Sequence, residues 1–349
     1  MKVKYLSIFF FITTYLFAIE MAFEYRANKR GHHAYLFKMT RKILDLGSHQ
    51  NDVTPYPFRS PVLQINKSAG SNRIWMASAS YAEDAKRKID ELFPNIMCKQ
   101  ISLSGVNCEM LNAARASLTI HDNINQLNNR ARAWKLDYAI LYSMNLDINI
   151  LSHKHLAPYK MASAKDEKIN AKIVGNNDLT ISQKIEKFVE EMTIYGHLRR
   201  YLGGSILLST LQHDNIGDEA SAEFKETLIH FISTCRKIGA TPILTTFATR
   251  YDINNYEDMS YDQSLSLMRY NEYLSKKGWV NAVFQFNKII RETANENNIL
   301  LIDIEKEISG KQEYFRDFIH FTINGHSVIG QLLADNFINY YNMIGRDTL

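Results

Sequence analysis

The chain has 349 residues, 46% of them apolar, and a formal net charge of +4. That is enough apolar material for one large α/β core or two modest ones. The charge is small, and much of the basic excess lies near the amino terminus in Lys2, Lys4, Arg26, Lys29, Arg30, Arg41 and Lys42. No interleaved basic and aromatic stripe exists, which argues against a nucleic-acid partner. The three cysteines, Cys98, Cys108 and Cys235, lack the spacing of a zinc or redox motif and read as free, buried thiols.

In chain order, Met1-Lys2-Val3-Lys4 precedes an apolar run from Tyr5 to Ile19, continued after Glu20 by Met21, Ala22 and Phe23. Lysines ahead of such a run predict entry into a membrane, as a cleaved signal peptide or as an uncleaved anchor with the lysines kept in the cytoplasm. Cleavage favours small residues before the cut, yet Glu20 stands two before Ala22 and Leu16 two before Ala18. The balance favours a transmembrane anchor over 1–24, and either reading puts the remaining chain outside the cytoplasm. Residues 25–72 are polar, with a turn-rich stretch from Asn51 to Pro57, and read as a stalk or lead-in.

From Arg73 onward short apolar runs alternate with helical patterns, the mark of βαβ units and a parallel sheet. The strands expected are Ile74 to Ser78, Cys98 to Ser104, Tyr138 to Ser143, Pro242 to Phe247 and Leu300 to Ile304. Helices are expected over about 81–92, 108–133, 218–238, 261–297 with an interruption near Gly278, and 323–343. The fold class this predicts is a flavodoxin-like three-layer α/β/α sandwich with a five-stranded parallel sheet, occupying 73–349. Residues 148–216 do not fit a minimal sheet and read as an inserted cap, a substrate-recognition element or equally a packing decoration.

The most informative stretch runs from Phe315 to His326 and reads FRDFIHFTINGH. Asp317 and His320 stand at i and i+3 on a loop after the last predicted strand, ahead of a helix signalled by Asn324-Gly325. A carboxylate so placed can fix one imidazole nitrogen while the other takes a proton from a serine hydroxyl.

This segment resembles the last conserved block of the SGNH (GDSL-like) hydrolases, in its membrane-anchored form. The resemblance spans roughly 73–345 and extends weakly to Glu20, Glu24 and Arg26 beside the anchor. It implies His320 as base, Asp317 as its partner and His326 as a structural helix residue. It also implies a nucleophile after the first strand, where Ser78-Ala79-Ser80 stands in the place of Gly-Asp-Ser; Ser80 is the nucleophile by this reading and Ser78 the runner-up. The oxyanion donors would be the Ser80 backbone, Gly105 from the second block, with Cys108 in a shifted alignment, and the Asn145 amide from the third. In that third block Ser143 replaces the family's glycine.

The function so implied is a membrane-anchored, extracytoplasmic serine esterase, an O-acetyl esterase or acetyltransferase acting on acylated carbohydrate of the envelope or of exported polysaccharide. Lipid or other ester substrates stay open, as does a partnership with envelope polysaccharide machinery. The alternative is a catalytically silent glycan-binding or scaffold protein, which the altered first and third blocks allow. No metal or organic cofactor is implied: His32-His33 and His153-Lys154-His155 lack ligand partners at suitable spacing and read as solvated loops. Glu190-Glu191 and Glu305/Glu307 read as charged helix faces rather than a glycosidase pair.

Overall fold

A computed structural model of the chain describes residues 58–61, 63–156, 212–268, 271 and 273–346, together with Thr14, Tyr15 and Ala18. Thr14, Tyr15 and Ala18 are helical, and among the described residues no helix is long and apolar enough to cross a membrane. The rest of the expected anchor, most of the lead-in and residues 157–211 of the expected cap lie outside the described residues.

Five strands, β1 (Asn72–Ser78), β2 (Cys108–Asn112), β3 (Tyr138–Tyr142), β4 (Thr241–Thr245) and β5 (Leu300–Ile302), form one parallel sheet in the order β2-β1-β3-β4-β5. In the interior strand β1, Ile74, Trp75, Met76 and Ala77 are all fully buried, which requires cover on both faces and explains the continuous apolar run. Helices α1 (Ser80–Glu83), α2 (Phe93–Leu103), α3 (Ile120–Arg130), α4 (Asn145–Leu156), α5 (Asp218–Lys237), α6 (Tyr261–Met268), α7 (Lys276–Glu296), α8 (Ile304–Ile308) and α9 (Ile323–Arg346) supply it. α9 packs along α2 in one layer, and α5 packs on α3, α4 and α7 in the other. The α2–α9 crossing is close: a Cβ on Gly330 would sit 2.6 Å from Ile96 Cγ2.

The expected first, third, fourth and fifth strands are present with shifts of one or two residues at their ends, but the second is displaced. Cys98–Ser104, read above as a strand, belongs to α2 and its cap, and β2 lies within the stretch expected to be helical. α2 starts with Pro94 in its first turn, where the missing N–H costs nothing, and buries Phe93, Met97 and Ile101 at helical spacing. A short apolar run fits either period, and only the long partner helix α9 makes the helical one pay. The expected helix over 261–297 is two helices, and Gly278 lies in the first turn of α7 rather than at a break.

The displaced strand changes the cysteine chemistry too. Cys98 on α2 and Cys108 at the start of β2 form a disulfide, and Cys235 alone is free and buried. The reading of three free thiols is therefore corrected. Denatured, unreduced protein should titrate with one thiol per chain and reduced protein with three, and reduction should cost roughly 2–3 kcal/mol for a loop this short. A count of three without reductant would refute the bridge.

Part of the lead-in is built into this domain. The Arg59 N–H donates to Asn112 O at 3.2 Å and Ser60 Oγ accepts from the Asn112 N–H at 2.8 Å, so the segment covers the open edge of β2. Arg73, fully buried, pins residues 64 and 65 through their carbonyls and pairs with Glu109. Likewise the first residues of the expected cap continue α4, where Ile148 and Leu151 are buried.

Candidate active site

β1 and β3 pair in register, Ser78 opposite Tyr142, and the chain leaves β1 toward β2 in one direction and β3 in the other. The crevice at their carboxyl ends is the switch point where open α/β sheets bind ligands. Ser80 opens α1 there, after Ala79 in extended conformation. The turn is held from both neighbours. Asn112 Nδ2, at the end of β2, donates to Ala82 O at 2.8 Å. Tyr81, fully buried, donates from its hydroxyl to Ser143 Oγ at 3.2 Å and accepts from the Met144 N–H at 3.4 Å, beyond β3. Burial pushes the Tyr81 phenol well above its ordinary range, so it stays a donor.

Ser80 Oγ lies 2.9 Å from His320 Nε2, and His320 Nδ1 lies 2.8 Å from Asp317 Oδ2 and 3.0 Å from Oδ1. The loop that carries this pair closes on itself: Asp317 Oδ1 also accepts the Ile319 and His320 N–H groups, and the Arg316 N–H donates to His320 O. Burial alone would raise the Asp317 carboxyl, but the hydrogen bond from His320, with those two backbone donors, outweighs it and holds the group below its usual value. An ionised carboxylate only accepts, so Nδ1 carries the proton and the Nε2 lone pair faces the serine hydroxyl. The arrangement is competent to deprotonate Ser80 without further movement.

Of the other expected site residues, the structure places Asn145 at the end of the sheet where Ser80 lies, and not Gly105 or Cys108. Asn145 begins α4 immediately beyond β3, at the same end of the sheet as Ser80. Its Oδ1 accepts from Trp279 Nε1 at 3.2 Å, and neither its Nδ2 nor the Ser80 N–H has a partner among the described residues. Gly105 sits in the turn between α2 and β2, with φ +90° and its N–H donated to Ser102 O. Because the strands are parallel and Asn72 pairs with Cys108, that turn lies at the opposite end of the sheet from Ser80. Gly105 is therefore no oxyanion donor, and neither is Cys108, disulfide-bonded at the start of β2. The loop that does follow β2 is Ala113 to Ala116, where the Ala113, Ala114 and Ala116 N–H groups already donate to Met76 O, Asn112 Oδ1 and Glu83 Oε2. Ser78, the runner-up nucleophile, is fully buried and donates to Tyr142 O at 2.6 Å, facing away from any substrate.

Sequence reasoning missed the group that ties the two halves of the site together. Asp84, four residues after Ser80, has a side chain only 1% exposed and receives Arg316 through both NH groups at 3.0 to 3.2 Å. His326, fully buried, accepts the Phe93 N–H at Nδ1, so its Nε2 carries the proton directed at Asp84 Oδ2, 3.3 Å away. Burial alone would raise Asp84, but the hydrogen bonds from His326 and Arg316 bring it down to about 2; burial lowers His326 below its ordinary value and keeps it neutral. Since Arg316 precedes Asp317, this clamp joins the serine turn to the loop carrying His320. Arg59, from the lead-in, donates to the carbonyls of Glu83, Asp84 and Arg87 on the same turn. The sequence offered one signal, an arginine beside the expected aspartate, with no hint of its partner.

His153, Lys154 and His155 lie on α4 rather than in a loop, and Lys154 and His155 pair with Glu219 and Glu223 of α5. Among the described residues no group of three or more His, Cys, Asp or Glu side chains could hold a metal ion.

No family model and no curated protein matches the sequence. Among solved structures the chain is similar to the lipase/acylhydrolase from Enterococcus faecalis, at 15% identity and TM-score 0.42 over 76% of this chain and 94% of that one. It is also similar to a GDSL-like lipase from Bacteroides thetaiotaomicron, at 9% identity and TM-score 0.43 over 80% and 93%. A catalytic mutant of an acetylxylan esterase from Geobacillus stearothermophilus matches at 11% identity and TM-score 0.43 over 78% and 95%. Likeness at this level says nothing of substrate, and the functional reading rests on the geometry of the site.

Proposed function

We propose that the chain is a serine esterase of the SGNH type, tethered outside the cytoplasmic membrane and acting on O-acyl groups of envelope or exported polysaccharide. The observation that carries this reading is the hydrogen-bonded line from Ser80 Oγ through His320 to Asp317. A silent binding protein has no need to keep three such groups in proton-transfer geometry, so the spacing favours the enzyme over the scaffold.

In this mechanism His320 Nε2 takes the Ser80 proton as Oγ attacks the acyl carbonyl. The Ser80 N–H and Asn145 Nδ2 donate to the oxyanion, a kind of contact worth roughly 3 kcal/mol per donor. Collapse expels the sugar oxygen, which receives the proton from His320, and leaves an acyl-serine. Water, deprotonated by the same nitrogen, then releases the carboxylic acid; a second sugar hydroxyl in place of water would make the enzyme a transferase. Asp317 keeps the imidazole in the required tautomer and balances its transient charge. No step calls for a cofactor.

The apolar amino-terminal run behind Lys2 and Lys4 supports the extracytoplasmic placement, and so does the Cys98–Cys108 disulfide, a bond that persists in oxidising compartments. The polysaccharide substrate follows from the resemblance to anchored family members. Full-length protein in detergent should hydrolyse p-nitrophenyl acetate and release acetate from O-acetylated polysaccharide. Turnover of the small ester with no acetate release from any acetylated glycan would retain the esterase and discard the polysaccharide.

A further inference from the structure

Trp279 lies in the first turn of α7, fully buried, and touches both sides of the site. Its Nε1 donates to Asn145 Oδ1 at 3.2 Å, and its ring meets Phe318 edge-on at 5.7 Å, two residues before His320. An indole N–H only donates, and an asparagine amide has one accepting end. The bond therefore dictates which end of Asn145 faces α7: oxygen toward Trp279, and the two Nδ2 protons away from it, without a partner among the described residues.

Without that constraint the amide torsion is broad and nearly two-fold. The wrong orientation would present a carbonyl oxygen where negative charge develops, replacing a donor by a repulsive lone pair. The indole itself is rigidly held. Ser275 caps α7 by accepting the Gly278 N–H at its hydroxyl, at 2.9 Å, and the Trp279 N–H at its carbonyl, at 2.8 Å. A Cβ at Gly278 would collide with His213 O, so this turn is pressed against the segment ahead of α5 and glycine is required. Phe318 in turn is fixed through its carbonyl, which accepts the Arg250 N–H at 3.0 Å.

We propose that Trp279 is a positioning residue that locks the Asn145 amide with its N–H groups toward the oxyanion. The proposal rests on the esterase reading of the site and adds a residue that touches neither substrate nor serine. Such an interaction acts only when the oxyanion forms, so its loss should appear in kcat and not in KM.

The test is Trp279→Phe in the full-length protein, with p-nitrophenyl acetate as probe. kcat should fall about tenfold or more while KM stays within about twofold. Added to Asn145→Ala, the same substitution should change kcat by less than about twofold, because the amide it orients is already gone. Where the smaller ring lowers stability, 3-benzothienylalanine at position 279 keeps the bicyclic shape, replaces only the N–H by sulfur, and should give the same kcat loss. Unchanged kcat, a rise in KM alone, or equal losses in the Asn145 and Asn145→Ala backgrounds would overturn the proposal. A folded wild type that neither hydrolyses the ester nor reacts with a fluorophosphonate would instead bring down the esterase reading itself, and this inference with it.

Discussion

Full-length protein should be labelled by a fluorophosphonate probe, and Ser80→Ala and His320→Ala should each abolish the label and lower kcat for p-nitrophenyl acetate by roughly 10⁴-fold or more. Among the described residues Ser80 Oγ has one partner, His320 Nε2, so its removal leaves no buried group among them unsatisfied and the thermal midpoint should barely move. Ser78→Ala supplies the contrast. It removes a buried hydrogen bond to Tyr142 O and should cost about 1 kcal/mol of stability, yet keep both label and turnover. Labelling that survives Ser80→Ala but disappears in Ser78→Ala would refute the assignment. No labelling of the folded wild type would favour the silent glycan binder.

The second large effect is expected at the clamp. Arg316→Met keeps the aliphatic stem but removes the close cationic partner of the Asp84 carboxylate, whose side chain is 1% exposed, and leaves it His326 at 3.3 Å and Arg87 at 3.8 Å. Removing one partner of so buried a pair should destabilise by about 3 kcal/mol at neutral pH, and it should slow labelling because the turn of Ser80 and the loop of His320 lose their direct tie. The sign of the pH dependence follows from Asp84, brought down to about 2 from an ordinary 3.8. Its ion pair stabilises the folded chain fully above the ordinary value and is lost as pH falls through about 2. In urea melts the gap between wild type and Arg316→Met should therefore be widest at neutral pH and narrow below about pH 4. A gap independent of pH would mean that Arg316 acts by packing and not by charge.

The parts of the site that could be read from the chain are those encoded locally. Asp317 and His320 are three residues apart, and their geometry depends on one loop that closes on its own backbone. Ser80 follows a strand whose unbroken apolar run fixes it as an interior strand of the sheet. Gly105 failed because a single misplaced element reverses the ends of a parallel strand. Once Cys98–Ser104 is helix instead of strand, the turn at 105 moves from the carboxyl end of β2 to its amino end, the full length of the sheet away from Ser80. The cysteines followed the same error, since their distance depends on the α2–β2 turn. The clamp and Trp279 were beyond reach for another reason. Asp84 and Arg316 are separated by 232 residues, and Trp279 and Asn145 by 134, so neither pair leaves a spacing to recognise.

The sequence by itself determined the alternation of strands and helices and the apolar amino-terminal run, both written in short-range periodicity, and it set Asp317 and His320 in one contiguous loop; Ser80 was reached through the resemblance of Ser78-Ala79-Ser80 to a family block. The tertiary structure alone decided which turns share the crevice, which serine lies beside His320, which end of Asn145 faces Trp279 and how the serine turn is bound to the loop of His320. Those depend on strand order, burial and long-range hydrogen bonds, which come into existence only when the sheet closes between its two helix layers.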